Sequence, residues 1–472
     1  MTLSQKDEPA TVDASRRDFL RIGASAVVSV AAVACGHVSA PRGAPSTASS
    51  RVRDPAPSTL LFAAPALERV RVGFVGVGVQ GMVHVANFLS LEGVNVKAIC
   101  DVDESHARAA ATRVSAAAQP PPTLYTRGPL DFKRMIAEED LDLVVTATPW
   151  EWHVPVMLES VASGKHVATE VPAAYRVDDC WAIVEAAERH QRHCLMLENC
   201  CYNRRELLML NLVRAGVFGD IEHAECGYNH DLRAVKFDMT SEGLWRRAHA
   251  MRRNGNLYPT HGLGPIAQCM NINRGNAFDY LVSMSGPSRG LQNWQREHLA
   301  ADDPRRREQY VLGDVNLSLI RTQAGQTIVL THNTNLPRPY SRINMIQGTR
   351  GLMQGWPARI YVEGRSQPAD EWQELDSWFA EYEHPLWNAP AARNASTGHG
   401  GMDFLEAYRL IGCLRAGVPT DQNVYDAASW SCITELTERS VASRSQAVDI
   451  PDFTRGRWRD TPPVTMQPLD AA

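Results

Sequence analysis

From Val70 onward, short apolar runs alternate with stretches of helical period. Val70 to Val75 and Val94 to Cys100 are valine-rich and read as strands, with a helical stretch from Met82 to Leu91 between them. Further strands are predicted at Leu141 to Thr148, His166 to Val171 and Cys194 to Cys200, each after a helix-like stretch. Such alternation predicts an α/β fold whose N-terminal half is a doubly wound parallel sheet. After a helix at Arg205 to Arg214 the pattern changes to strands with long loops. The best candidates are Ile221 to His230, Tyr310 to Arg321, Gln326 to Thr331 and Ile343 to Thr349, followed by helices at Phe404 to Arg415 and Val424 to Arg444. This second half is predicted to be an α+β domain with an open, largely antiparallel sheet and C-terminal helices.

The N-terminus follows a different logic. Ser15-Arg16-Arg17-Asp18-Phe19-Leu20 precedes an apolar run from Ile22 to Cys35, 14 residues long. A spanning helix needs about 20, so the run reads as the apolar region of a signal peptide. The paired arginines resemble a twin-arginine signal, which implies export of a folded protein by that machinery to the periplasm or the exterior. Cleavage after Ala34 or after Ala40 fits a small-x-small pattern, and a lipid-modified Cys35 is a weaker third possibility. A Pro-, Ala- and Ser-rich stretch from His37 to about Leu67 reads as a linker. The expected organisation is therefore a signal at 1–34, a linker at 35–67, a nucleotide-binding domain at 68–202 and a substrate domain at 203–472.

Charge narrows the partners. Residues 1–60 carry 7 of the 48 basic and 5 of the 53 acidic residues, which leaves 41 against 48. A mildly acidic body without a long basic run argues against nucleic acid. Nine cysteines remain beyond Cys35, with no C-x-x-C pair, and an odd count leaves at least one unpaired if the others bridge. His190, His193 and Cys194 come nearest to a metal cluster, but without a second ligand pair they read as a polar helix end, and no metal is expected.

Gly76-Val77-Gly78-Val79-Gln80-Gly81 lies between the first strand and the first helix, the context in which G-x-G-x-x-G binds a dinucleotide in a Rossmann domain. The first glycine permits the turn, the second lets backbone approach a diphosphate, and the third allows close helix packing. Asp101 ends the second strand 20 residues after Gly81. A carboxylate there accepts from the adenosine ribose and repels a 2′-phosphate, favouring NAD over NADP. Ligands of such sheets sit beyond the carboxyl ends of the strands, which singles out Thr148-Pro149-Trp150-Glu151-Trp152-His153, Glu170-Val171-Pro172 and Asn199.

The arrangement resembles the superfamily of glucose-fructose oxidoreductase, inositol dehydrogenase and rhizopine catabolism proteins from about Arg69 to Trp458. Most members carry a lysine after the glutamate matched by Glu170, and that lysine serves hydride transfer; here the position is Val171. Several stretches match more closely: Thr148 to His153, Glu170-Val171-Pro172, Gly227-Tyr228-Asn229-His230-Asp231-Leu232-Arg233, Trp245-Arg246 and above all Tyr258-Pro259-Thr260-His261-Gly262-Leu263-Gly264-Pro265. These resemble glycoside hydrolase family 109, the NAD-dependent α-N-acetylgalactosaminidases.

The resemblance implies a glycosidase outside the usual carboxylate-pair chemistry. In the implied route, NAD removes hydride from sugar C3, the ketone acidifies the C2 proton, and the aglycone leaves from C1 by elimination. Water then adds at C1 and the hydride returns to C3, so no cofactor is consumed. By the same resemblance Gly76, Gly78, Val79, Gln80, Gly81, Asp101, Trp150, Glu151, Trp152, His153, Glu170, Val171, Asn199, Arg246 and Tyr258 contact NAD. Tyr228, Tyr258, Pro259, Thr260, His261 and Tyr340 contact the sugar. Proton transfer at C2 or the C3 hydroxyl needs a base that works near neutrality, and His261 is the first choice. Tyr228 and Tyr258 act as acid, as base or as hydrogen-bond donors to an enolate. Tyr340 is as readily a packing residue, and Trp150 and Trp152 either offer the sugar an apolar face or fill the core. His230 and Arg233 support the pocket or cap a strand.

The rival reading is a periplasmic sugar oxidoreductase of the same superfamily, against which Val171 and the Tyr258 to Pro265 motif both speak. A noncatalytic sugar sensor would need a lost glycine fingerprint or lost site residues, and neither loss is visible. The expected partner is a glycan or glycoconjugate, with self-association through the open sheet face of the second domain as a further expectation.

Overall fold

The computed structural model describes residues 58–394 and 399–469. The expected signal and most of the expected linker, with Cys35, lie outside the described residues. Among the described residues no helix is long and apolar enough to cross a membrane.

Six strands form the first sheet: β1 (Val70–Val75), β2 (Val94–Cys100), β3 (Thr123–Tyr125), β4 (Leu143–Thr146), β5 (His166–Thr169) and β6 (Cys194–Met196). Their order is β3-β2-β1-β4-β5-β6 and every pairing is parallel. Helices α1 (Val79–Leu89), α2 (Glu104–Ala116), α3 (Asp131–Glu138), α4 (Trp150–Ala162) and α5 (Val177–His190) make the crossovers. Every residue of β4 and β5 is buried, as a sheet covered on both faces requires, so these strands read as continuous apolar runs. Asp103 starts α2 by accepting from the Ser105 backbone N–H.

The second sheet has eight strands: β7 (Ile221–Asn229), β8 (Phe278–Ser285), β9 (Asn316–Thr322), β10 (Thr327–Asn333), β11 (Met345–Gly348), β12 (Gly351–Gly355), β13 (Ala358–Val362) and β14 (Val448–Asp449). They run in the order β13-β12-β11-β7-β10-β9-β8-β14. Only β7 and β10 pair in parallel. The remaining α-helices are α6 (Arg204–Arg214), α7 (Arg233–Phe237), α8 (Gly243–Arg252), α9 (Thr260–Cys269), α10 (Gly290–His298), α11 (Asp376–Tyr382), α12 (Pro385–Asn388), α13 (Met402–Ala416), α14 (Val424–Ser431) and α15 (Ile433–Ala442).

Two packing features position the site. Late in the chain, α13 returns to the first sheet: Ala407, Leu410, Ile411 and Leu414 share one core with Val70, Val72, Phe74, Val85 and Phe88. That brings the start of α13 beside α1. On the other side, α9 lies unusually close to β7. A Cβ on Gly262 would stand 2.5 Å from the Gly227 nitrogen, and one on Gly264 would stand 2.9 Å from the Glu198 side chain. The glycines after His261 thus let this helix sink onto the sheet and the end of the first domain.

Candidate active site

A cleft of about 600 Å³ opens along the carboxyl ends of the first sheet and reaches β7, α8 and α9. At one end the glycine loop meets the expected requirements one by one. Gly76 has φ +80°, and a Cβ there would strike the Ala147 carbonyl at 2.7 Å. A Cβ on Gly81 would lie 2.1 Å from the Gly76 carbonyl, so helix and turn can touch only through glycine. Around Gly78 nothing lies within 4 Å, which leaves an open cradle at the start of α1, where a diphosphate meets free backbone N–H groups. Asp101 is buried and braces this loop, accepting from the Val77 N–H at 2.7 Å and the Asp103 N–H at 2.8 Å. A carboxylate has about four lone-pair sites, so Asp101 retains acceptor capacity for a ribose hydroxyl while it lines the cleft. The open cradle and this carboxylate together fit NAD.

The strand-end residues form the middle of the cleft. His153 is buried with Nδ1 2.8 Å from the Pro172 carbonyl and Nε2 2.9 Å from the Thr148 carbonyl, so its ring ties the ends of β4 and β5 together. Glu170 faces His84 of α1, with Nε2 to Oε1 at 2.6 Å, and accepts from the Val171 N–H at 3.1 Å. Burial pushes the Glu170 carboxyl up, but His84 and that N–H outweigh it and hold the group below its ordinary range. Asn199 donates to Asp403 at 2.6 Å. Trp150 is buried against Trp245, His249 and Tyr258 and also borders the cleft, so it serves the core and the site together.

At the far end three side chains converge. The rings of Tyr228 and Tyr258 stand 4.6 Å apart, and His261 meets them edge-on at 5.4 and 4.9 Å. Nδ1 of His261 is 2.7 Å from Oε1 of Glu198, a carboxylate with no solvent exposure. Donation from Nδ1 to that carboxylate fixes the tautomer and leaves Nε2 as the basic nitrogen. His261 itself lines the cleft. Burial raises the phenols of Tyr228 and Tyr258 well above their ordinary value, although Arg246 nearby opposes it. Both are therefore neutral O–H groups near pH 7, suited to donate to an oxygen that gains charge rather than to abstract a proton. Arg246 stacks within 5.2 Å of the Tyr258 ring and is ion-paired with Glu242, Nε to Oε2 at 2.5 Å though off-axis for a hydrogen bond.

Most of the residues singled out from the sequence line this one cleft: Gly76, Gly78, Val79, Gln80, Asp101, Trp150, Trp152, His153, Glu170, Val171, Asn199, Tyr228, Arg246, Tyr258 and His261. Five do not. Gly81 is consumed by the helix-to-turn contact, and Glu151 reaches toward His249 at 3.9 Å with its side chain 47% exposed. Pro259 leads into α9, and Thr260 is fully buried. The Tyr340 hydroxyl accepts from Arg342 at 2.9 Å, while its ring packs edge-on against His230 and Tyr228. His230 accompanies the site, with Nδ1 3.1 Å from the Tyr228 hydroxyl, whereas Arg233 pairs with Asp231 at 2.8 Å.

The structure also adds residues that sequence reasoning passed over: His84, Glu198, His399 and Asp403. Glu198 stands beside Asn199 at a strand end already marked as ligand-facing, a signal that was available. Nothing local marked the others. Glu198, Cys200 and His261 bring three donor atoms within 4.8 Å of one another. These atoms already have partners within the protein: the Cys200 thiol donates to Asn199 Oδ1 at 3.4 Å and His261 Nδ1 faces Glu198 at 2.7 Å, so the trio reads as a histidine–carboxylate pair with a neighbouring thiol.

Comparison with known proteins matches both halves of the chain. Residues 70–198 fit the oxidoreductase family with an NAD-binding Rossmann fold. Residues 202–460 fit the glycosyl hydrolase 109 C-terminal domain. A glycosyl hydrolase family 109 protein of Shewanella sp. (strain W3-18-1) is 46% identical over 429 residues, covering 89% of this chain and 94% of the relative. Another, from Shewanella sp. (strain MR-4), is 44% identical over 456 residues, covering 95% and 98%. Among solved structures, levoglucosan dehydrogenase in complex with NADH superposes with a TM-score of 0.63 at 19% identity, covering 81% of this chain and all of that one. The scyllo-inositol dehydrogenase of Lactobacillus casei superposes with a TM-score of 0.57 at 13% identity, covering 81% and 99%. These two likenesses are of fold.

Proposed function

The chain belongs to glycosyl hydrolase family 109, and on that premise we propose that this NAD-dependent glycosidase hydrolyses terminal α-N-acetylgalactosamine by redox elimination. The observation that carries the reading is the placement of His261, backed by buried Glu198, beside two neutral tyrosines and in one cleft with the dinucleotide loop. When bound, NAD supplies reversible hydride exchange at sugar C3, so the product leaves at the oxidation state of the substrate.

The residues around the sugar then have separable tasks. Once C3 is a ketone, the proton on C2 becomes acidic because the carbanion is delocalised as an enolate. His261 Nε2 takes that proton, and Glu198 stabilises the imidazolium that forms. Tyr228 and Tyr258 donate to the enolate oxygen as it gains charge, the task their raised phenols suit. As the aglycone leaves C1 its oxygen takes up the proton held by His261; water then adds at C1 and His261 carries the proton of that water to C2, so C2 receives a hydrogen from solvent. Elimination through an enolate tolerates either anomer, so the α preference rests on the family.

Further proposals concern the setting. Export by the twin-arginine route as a folded, NAD-loaded enzyme suits a core in which the nine described cysteines are free and buried. The substrate is then an extracytoplasmic glycan or glycoconjugate. To test the activity, the purified protein is given aryl α- and β-N-acetylgalactosaminides, aryl α-N-acetylglucosaminide and free sugars without added NAD. Release from the α-galactosaminide without net oxidation is the expected result; oxidation of free sugar without release overturns it.

A further inference from the structure

Beside Tyr228, one wall of the cleft is built by α7, α8 and the turn between them. The chain leaves β7 just after Tyr228, and Leu232, Val235 and Leu244 follow it along the cleft. This wall is anchored from behind. Lys236 is buried and donates through Nζ to Thr334 Oγ1 at 2.7 Å and to Asn335 Oδ1 at 2.5 Å, and Phe237 stacks on Trp294 with ring centroids 4.6 Å apart. Arg247 ties the two helices together by donating to the Lys236 carbonyl at 3.1 Å. They approach so closely that a Cβ on Gly243 would lie 2.1 Å from the Asp238 carbonyl oxygen. Leu244, held on this braced frame, is nevertheless 58% exposed. An aliphatic side chain fixed in the open at the wall of a cleft gains free energy when a ligand replaces the water over it.

We propose that this wall is the leaving-group subsite and takes an apolar aglycone, with Leu244 as the residue that sets the preference. The inference deepens the glycosidase reading and rests on it. An aglycone bonded to C1 extends from the sugar into the rest of the same cleft. Toward the glycine loop that space belongs to NAD, so the wall that continues from Tyr228 is left for the aglycone. The wall's polar groups are largely engaged already: Glu242 pairs with Arg246, the Thr240 hydroxyl donates to Asp238 Oδ1 at 2.8 Å, and Ser241 adds a single hydroxyl. A second sugar brings several hydroxyls, each of which loses water on entry and needs a new partner. An alkyl or aryl group makes no such demand and is stabilised by covering Leu244, Val235 and Leu232. The substrate is then a glycoconjugate in which the sugar sits on an apolar group.

The test uses the full-length holoprotein and two ligands, the octyl and methyl α-glycosides of N-acetylgalactosamine deoxygenated at C3. Neither can be oxidised at C3, so both bind without turnover, and calorimetry reads their affinities below the micellar concentration of the octyl compound. Wild type should bind the octyl ligand about tenfold or more tighter than the methyl one, the effect of covering about two methylenes. Leu244→Asp should abolish that preference, and Leu244→Met should keep it. A wild type without the preference overturns the proposal, and so does a preference that survives Leu244→Asp. Aglycone release from the ordinary octyl glycoside is followed in parallel: its absence contradicts the glycosidase reading, while the affinity ratio still decides the subsite.

Discussion

Replacing Glu198 by Gln tests the pair at the centre of the site. The carboxylate is fully buried, and its Oε1 accepts from His261 Nδ1 at 2.7 Å and from the Cys200 N–H at 3.2 Å. Glutamine keeps the volume but removes the charge that stabilises the imidazolium, and it presents either an amide oxygen or an NH₂ group to Nδ1. In serine proteases the corresponding Asp-to-Asn change costs about 10⁴ in kcat, and acid–base groups in general contribute about 10²–10⁴. The expected loss here is therefore about 10²–10⁴, or about 2.7–5.4 kcal/mol of barrier at 1.36 kcal/mol per tenfold. The assay is the initial rate on an aryl α-N-acetylgalactosaminide, with bound NAD quantified in the same samples. His261→Ala should lose a similar amount with NAD retained, and the double variant should lose little more, because the two act as one unit. A Glu198→Gln enzyme that keeps more than a tenth of wild-type rate would refute the reasoning, as would full additivity of the two single losses.

Other consequences reach the cofactor loop, the core and the surface. Gly78→Val puts a side chain into the open cradle at the start of α1, where nothing lies within 4 Å. Bound NAD should fall to a small fraction of wild type with the circular dichroism spectrum unchanged, and full NAD content would contradict the diphosphate site. Four imidazoles are kept neutral by burial: His193 and His332 are pushed down to about 3, and His166 and His384 to about 4. Between those values and about 6.5 the unfolded chain binds more protons than the native one, so stability falls as pH drops through that window. The Tm should decrease from pH 7 to pH 5 and again toward pH 4; a flat profile would contradict the neutral assignments. On the outer face of the second sheet, Met284, Leu317 and Leu319 are 65%, 52% and 55% exposed, a row suited to self-association. Leu319→Arg should reduce the mass seen by light scattering after gel filtration, and an unchanged mass would remove this face from the account.

Where the sequence pattern was informative, a single physical constraint dominated. β1 and β2 occupy the residues expected because Val70, Val72, Val94 and Val96 fill one buried face of the sheet. Gly76 makes the turn and Gly81 the close helix contact that their spacing implies, and the space beside Gly78 is open. β9 was harder to delimit: Asn316 and Ser318 point inward and hydrogen-bond with Ser283, while Leu317 and Leu319 point out, the reverse of the usual alternation. β12 contains two glycines in five residues, and both β12 and β8 escaped notice. The stretch Val424 to Arg444 is two helices meeting at Cys432. In the site, motif residues were visible one by one, but their backing groups were not. His84, Glu198 and Asp403 act through contacts that span as many as 323 positions, as between Gln80 and Asp403, and only the fold brings such partners together. The structure also separates the tyrosines from the histidine: burial keeps the hydroxyls of Tyr228 and Tyr258 protonated, whereas His261 is set apart by its contact with the Glu198 carboxylate.

The most direct test of redox elimination is the fate of the hydrogen on sugar C2. The full-length protein is incubated with an aryl α-N-acetylgalactosaminide in heavy water, without added NAD, and the released sugar is examined by NMR and mass spectrometry. The account predicts hydrolysis with deuterium at C2, hydrogen retained at C3 and no net oxidation. Release of sugar that keeps its C2 hydrogen would contradict elimination through an enolate, and accumulation of a ketosugar without aglycone release would contradict the glycosidase itself.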